Sequence, residues 1–285
     1  MKKILVTGAT GFVGNYVITE LLKDNCQVIA TSASEAKAAQ RGWFSQVQYI
    51  PFHLKDYSSA TNYFEFFHRP DCVIHLAWEG LPNYKALFHF EENLPWHYAF
   101  LKNMVVNGLT DLSVTGTCLE YGFREGCLRE EMPAEPNNAY AIAKDTLRKF
   151  LEQLQTLHSF SLKWIRLFYM YGKGQNPKSL FSQLDRAIEE GQPTFNMSGG
   201  EQVRDYLPVE RVAAYIKAIA MQHAVNGIIN CCSGEPVKLK DLVLDYLNEK
   251  GSAVSLNLGY YPYLDYEPME FWGDNRKLLS ILNNK

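Results

Sequence analysis

Tyr140 and Lys144 stand four residues apart in Asn137-Asn-Ala-Tyr-Ala-Ile-Ala-Lys144, a stretch patterned as the opening of a helix, so the two side chains share one face. Such a pair is suited to moving a proton. A phenol ordinarily titrates at about 10, and bringing it to neutrality takes roughly 4 kcal/mol, which a close ammonium and a second cation can supply. Tyrosine and lysine at this spacing are also common on solvated helix faces, so the pair gains meaning only with a partner site. That site lies upstream, where Gly8, Gly11 and Gly14 follow the apolar run Lys3–Thr7 at three-residue spacing, with Thr7 and Thr10 among them. Glycines there let the backbone close on an anion, and the free N–H groups of the following helix face it, as a dinucleotide's pyrophosphate requires. An ordinary strand-turn-helix joint with incidental glycines explains the combination less well.

The elements that position these residues alternate. Strand-like runs recur at Lys3–Thr7, Gln27–Thr31, Val47–Phe52, Cys72–Leu76, Asp111–Thr115 and Leu162–Leu167. Helical patterns fall between them at Gly14–Lys23, Ser58–Phe67, Asn93–Asn107 and Ala139–Leu157. This predicts an α/β Rossmann-type fold, a doubly wound parallel sheet, over residues 1–171. Helix Val209–Gln222 and strand Gly227–Cys231 are expected to return to the sheet. Residues 172–208 and 232–285, with helices at Ser179–Glu190 and Lys238–Lys250 and a Tyr/Pro-rich stretch at Tyr260–Pro268, are expected to form a smaller, partly discontinuous substrate-binding domain.

Composition narrows the classes. The 285 residues carry a net charge of −3, with 47% hydrophobic and 21% charged residues, which gives no general attraction to nucleic acid or an anionic membrane. No apolar stretch approaches the roughly 20 residues of a membrane span, and the N-terminal run reads as a strand rather than a signal peptide. The cysteines at 26, 72, 118, 127, 231 and 232 show no CxxC pair and no zinc-ligand spacing. They are expected to be reduced thiols in a cytoplasmic protein without a metal site, Cys231–Cys232 serving packing. His75, inside a strand, reads as a hydrogen-bonded core residue. Trp78-Glu-Gly-Leu-Pro-Asn-Tyr84 follows that strand, as a candidate sugar-facing loop or a packed aromatic turn.

These motifs resemble the extended short-chain dehydrogenase/reductase family, in its nucleotide-sugar branch, from the N-terminus to about Glu235. The resemblance rests on Thr7–Gly14, Asp71-Cys-Val-Ile-His-Leu-Ala77, Asn93, Thr115-Gly-Thr117-Cys-Leu-Glu-Tyr-Gly122, Tyr140 with Lys144, Arg166-Leu-Phe-Tyr-Met-Tyr-Gly172 and Arg204-Asp-Tyr-Leu-Pro-Val209. It implies that Thr117 hydrogen-bonds the reacting oxygen, Tyr140 transfers the proton, and Lys144 binds the nicotinamide ribose while lowering the tyrosine pKa. It implies further cofactor contacts at Gly8, Thr10, Gly11, Phe12, Val13, Gly14, Ser32, Leu54, Leu76, Ala77, Trp78 and Asn93. Tyr169 and Arg204 fall to the substrate, Arg204 neutralising a diphosphate, which a guanidinium fork suits. Helices 93–107 and 139–157 are expected to pair a homodimer, with Phe100, Leu101, Met104, Leu147, Phe150, Leu151 and Leu154 offering apolar residues at helical spacing, some of which must serve the monomer core.

Departures from the family pattern sharpen the reading. Cys118 and Leu119 stand where sugar 4,6-dehydratases carry Asp and Glu, so dehydration is not expected, and Glu120, one residue on, would point to the other face of a strand. Ser32 replaces the acidic residue that binds an adenosine ribose, with Lys37 and Arg41 following, which favours NADP(H) over NAD(H). Lys37 and Arg41 fit a solvated helix face equally well. His53 stands where Asp is frequent near the adenine, and Tyr169 replaces an asparagine. The expected activity is reduction of a nucleotide-linked 4-keto-6-deoxyhexose, a dTDP- or CDP-sugar. The alternatives are a 4-epimerase with tightly held NAD and, more remotely, a non-catalytic dinucleotide sensor.

Overall fold

The computed structural model describes residues 1–24, 26–263 and 268–283. Seven strands form the main sheet: β1 Lys3–Thr7, β2 Gln27–Thr31, β3 Gln48–Tyr49, β4 Cys72–His75, β5 Asp111–Thr117, β6 Ser161–Leu167 and β7 Gly227–Cys231. Their spatial order is β7-β6-β5-β4-β1-β2-β3, every pairing is parallel, and the chain reverses its direction of winding between β1 and β4. A crevice outside the carboxyl ends of strands at such a reversal is where ligands bind in this architecture.

Alternation along each strand divides the core in two. Ile4 and Val6 face α1 (Phe12–Leu21), the short α2 (Glu35–Ala39) and later helices, whereas Leu5 faces the opposite layer. That opposite layer holds α3 (Tyr63–Phe66), α4 (Leu94–Val106) and α5 (Ala139–Gln155), packed through Phe100, Leu101, Met104, Leu147 and Leu151. Of the apolar residues expected at a dimer face, those five and Leu154 therefore belong to the chain's own core, and Phe150 stays 43% exposed beside Tyr98. A separate small core joins α6 (Leu180–Glu189) to α8 (Leu239–Glu249) through Phe181, Leu184, Val243 and Leu247, with strand 194–196 beside strand 255–257. Between them α7 (Val209–Met221) returns to the main sheet.

Four local expectations change. The strand expected over Val47–Phe52 shrinks to Gln48–Tyr49, although Ile50 and Phe52 still donate to Ala30 and Ser32 of the neighbouring run, and Pro51 falls at the solvent side of this edge strand, where no N–H is needed. The helix expected over Ser58–Phe67 begins only at Tyr63, since the Ser58 hydroxyl takes the Ala60 N–H and Asn62 caps the shorter helix. Helical structure before α4 starts at His89 as a π turn rather than at Asn93. A last helix, α9 (Arg276–Leu282), inserts Leu278 and Ile281 into the main-sheet core, in a segment expected to belong to the smaller unit. The Tyr260–Pro268 stretch lies partly outside the described residues. No helix among them is long and apolar enough to cross a membrane.

Candidate active site

β1 delivers Thr7 to the crevice, and Gly8 turns the chain at a φ of +69°, where a Cβ would meet the Ala77 nitrogen at 2.7 Å. Gly14 is equally constrained, since its Cβ would lie 2.2 Å from the Gly8 carbonyl oxygen. The turn therefore packs backbone on backbone and leaves the first N–H groups of α1 facing the crevice. A cavity of about 230 Å³ opens there, lined by Thr7, Gly8, Thr10, Gly11, Thr31, Ser32, Leu54, Leu76, Ala77 and Trp78 among others. A turn packed this tightly by glycines, at a helix N-terminus beside an open cavity, fits a dinucleotide pyrophosphate. Phe12, Val13 and Gly14 form the helical turn behind this wall, with Val13 packed into the core and the Phe12 ring edge-on to Tyr16. Asn93 is buried at the π turn and donates to the Glu79 carbonyl at 3.0 Å, which fixes the chain leaving β4.

At the far end of the cavity, Ser32 is more occupied than its sequence position suggests. Thr10 Oγ1 donates to its hydroxyl at 3.1 Å, and Tyr49 donates to its carbonyl at 2.8 Å while lying 2.9 Å from its Oγ. Because the phenol proton is given to the carbonyl, the serine proton goes to the phenol oxygen. Arg41 reaches this corner and donates to the Thr10 carbonyl at 2.9 Å, and its buried Nε has no hydrogen-bond partner among the described residues. Lys37 is exposed on α2. His53 holds Glu79 at 2.9 Å on the cavity's rim.

The other end is enclosed. Thr117 closes β5 beside Tyr140, which stands in the first turn of α5, and its hydroxyl favours the phenolate. Asn138 caps that helix by accepting the Ala141 N–H, and the Tyr140 N–H donates to the Tyr84 carbonyl at 3.0 Å. Lys144 follows one turn later with 1% exposure. Burial, not Lys144, dominates the tyrosine pKa here. Burial first, then Tyr84 and Glu120, push the phenol above its ordinary value, and burial lowers Lys144 itself to about 7, with Glu120 pulling the other way. Tyr140 is therefore a protonated hydrogen-bond donor.

Glu120, expected to point across a strand, instead lies in a 3-10 turn over Cys118–Tyr121 and turns into the core. Its carboxylate accepts from Arg166 Nε at 2.7 Å, from Trp164 Nε1 at 3.0 Å and from the Thr117 N–H at 2.9 Å. It thus secures the turn that presents Thr117. Cys118 is buried and Leu119 lines an adjoining cavity of about 350 Å³ with Pro82, Asn83, Tyr84, Lys85, Ala86, Asn137 and Asn138. Arg204 is buried against Phe271, its Nη1 donating to the Val203 and Met269 carbonyls at 2.9 and 3.1 Å. The Tyr169 ring lies 5.2 Å from that of Tyr206, in the paired segments 169–171 and 206–208. His75 is fully buried between Thr7 Oγ1 at 2.9 Å and His97 Nδ1 at 2.7 Å. Tyr84 closes the loop marked out in the sequence as a candidate sugar-facing segment, whereas His89 and His97 carry no sequence motif, and only the folded chain brings them to this site.

The model of the NAD dependent epimerase/dehydratase family matches residues 4–232. The chain belongs to this family. Among curated members, it is 28% identical over 271 residues to a dTDP-6-deoxy-L-talose 4-dehydrogenase (NAD(+)) of Aggregatibacter actinomycetemcomitans, covering 95% of this chain and 98% of that protein. It is 24% identical over 289 residues to a GDP-6-deoxy-D-talose 4-dehydrogenase of the same organism, covering 99% and 92%. Among solved structures of the same fold, the UDP-glucuronic acid 4-epimerase from Bacillus cereus, in complex with UDP-glucuronic acid and NAD, superposes with a TM-score of 0.83 at 22% identity, covering 99% of this chain and 93% of that one. The family's doubly wound sheet is the frame on which the glycine turn and the Thr117–Tyr140 pair are mounted.

Proposed function

We propose that the chain is a nicotinamide-dependent 4-ketoreductase of a nucleotide-linked 4-keto-6-deoxyhexose, with Thr117, Tyr140 and Lys144 as its catalytic residues. The observation that carries this reading is the burial of Thr117, Tyr140 and Lys144 together at one end of the crevice, next to Cys118 and Leu119, which offer no carboxyl group for dehydration. A nicotinamide dinucleotide bound in the crevice supplies hydride to the carbonyl carbon. Tyr140, kept protonated by burial, donates its proton to the developing C4 alkoxide, while the Thr117 hydroxyl bonds the same oxygen. The Lys144 ammonium stabilises the phenolate left behind.

Leu119, Ala86 and Pro82 give the adjoining cavity an apolar wall, which suits a C6 methyl group better than a hydroxymethyl or carboxylate. The relative named for a 6-deoxytalose 4-dehydrogenase supports a 6-deoxyhexose. Arg204 and Tyr169, with the small core of α6 and α8, are assigned to the nucleotide side of the substrate. Arg41, beside Ser32, supports NADP(H) as cofactor, whereas the NAD in the names of relatives supports NAD(H). A homodimer joined through Phe150 and Ile142 completes the reading, and a monomeric mass by light scattering at micromolar concentration removes that part.

The decisive test offers purified protein freshly made dTDP- and CDP-4-keto-6-deoxyglucose with NADPH or NADH. Loss of the reduced cofactor's absorbance, with a 6-deoxyhexose as product, is expected. The second reading, a 4-epimerase, draws support from the solved epimerases of this fold. It predicts tightly retained NAD and no net consumption of reduced cofactor.

A further inference from the structure

Lys144 is buried, yet among the described residues it makes no hydrogen bond and no ion pair. Ring faces hold it instead, with its Nζ 4.3 Å over Trp78 and 5.8 Å over Trp164. Trp78 is in turn fixed on two sides. Its indole stacks on His97 with centroids 4.5 Å apart, and its Nε1 donates to His89 Nδ1 at 3.1 Å. An indole N–H only donates, so Nδ1 of His89 must accept, and the neutral imidazole carries its proton on Nε2. That nitrogen lies 3.0 Å from the Asn83 carbonyl, which only accepts. One tautomer satisfies both bonds. The neighbouring Tyr84 carbonyl takes the Tyr140 N–H, so the loop after β4 is anchored to His89 and to α5 at consecutive residues. His89 itself sits in the π turn ahead of α4, a distortion that recurs at functional sites.

We propose that Trp78 is the positioning residue for Lys144, and that His89, protonated on Nε2, locks the indole in place and ties it to the loop at Asn83. The proposal rests on the functional reading above only in calling Lys144 catalytic. The geometry places a π face, and no ion-paired carboxylate among the described residues, against the ammonium, while Glu120 favours the charge without pairing with it. Glu120 acts on Lys144 electrostatically, and burial first, with Lys144 itself contributing, lowers the pKa of the neighbouring His75, His89 and His97. Removing the indole therefore removes the contact that favours the charged amine, whereas a glutamine at position 89 can accept from the indole and donate to Asn83 as the imidazole does.

The test uses the full chain with ¹³Cε-labelled lysine, without cofactor, and follows the Lys144 signal (assigned through Lys144→Arg) by NMR titration. Trp78→Leu is expected to lower the Lys144 midpoint by about half a pH unit or more. Trp78→Phe keeps a weaker face and should lower it less. His89→Leu should lower it as well, and His89→Gln should restore it. An unchanged or raised midpoint in Trp78→Leu overturns the proposal, as does His89→Gln behaving like His89→Leu. Should Trp78→Leu fail to fold, the Trp78→Phe and His89 pair decide alone. None of these readouts uses turnover, so an inactive wild type would sink the reductase reading without touching this one.

Discussion

The two ends of the crevice are built differently. Around Thr117, Tyr140 and Lys144, buried side chains from β4, β5, α4 and α5 hold one another through short hydrogen bonds and ring faces. Around Ser32, partly exposed hydroxyls from two loops and β3 bond mainly to each other, with one arginine reaching in. A fixed, enclosed end suits proton transfer, where a small displacement costs much of the rate. An open, hydroxyl-lined end suits discrimination between cofactors, where each contact changes affinity by modest factors. The difference predicts large effects of substitutions at the first end and small, selective ones at the second.

The largest effect is expected from Tyr140→Phe, which removes the proton donor and little surface. Turnover should fall by roughly 10²–10⁴ with cofactor affinity nearly intact. Wild-type rates in that variant would defeat the mechanism. Glu120→Leu comes next, because it strands the buried Arg166 cation and frees the Thr117 turn. A loss of about 3–5 kcal/mol is expected in urea unfolding, and a loss under about 1 kcal/mol would show that the pair does not secure this end.

Lys144 gives a pH signature of the enclosed end. Its midpoint is about 7 in the fold, below the ordinary lysine value. Above that midpoint the unfolded chain still binds the proton that the folded chain has lost, so this group makes stability rise with pH. Lys144→Met abolishes that slope. The variant's advantage over wild type should be greatest below neutrality and shrink by up to about 1.4 kcal/mol per pH unit on going alkaline. Paired unfolding curves on either side of neutrality measure it, and a pH-independent difference would mean that Lys144 titrates normally.

How much of this could be read from sequence follows the same division. β1, β2 and β7 fall on the residues that their apolar runs mark, and the doubly wound sheet follows from the alternation. Thr117, Tyr140 and Lys144 are visible because motif spacing fixes them on one strand end and one helix face. What supports them is not visible. His89 and His97 are isolated histidines until α4 folds back on β4. Glu120 reads as a strand residue until the 3-10 turn rotates it toward Arg166, 46 residues away. α9 is a short segment near the C-terminus whose apolar stripe acquires meaning only against α7 and β7. Ser32 was legible as a missing acid, but its engagement by Tyr49 depends on the short β3 lying alongside β2.

That last point sets the smallest and most selective prediction. With the Ser32 proton already given to Tyr49, the serine is a weaker phosphate donor than its position implies, and the weight of any preference for NADPH moves to Arg41. Its Nη2 is committed to the Thr10 carbonyl, which holds the guanidinium charge at the Thr10–Ser32 corner. One charge-assisted bond contributes roughly 1.5–3 kcal/mol, enough for tenfold or more. Arg41→Met should therefore lower kcat/KM for NADPH about tenfold while changing NADH little. Ser32→Asp should reverse the preference, since a carboxylate repels the 2′-phosphate and regains the ribose hydroxyls. The ratio of kcat/KM for the two cofactors, at fixed ionic strength, reads both variants. If wild type already favours NADH and Arg41→Met leaves the ratio unchanged, the arginine only braces the Thr10 turn, and the open end selects for NAD(H) through Ser32 and Tyr49 alone.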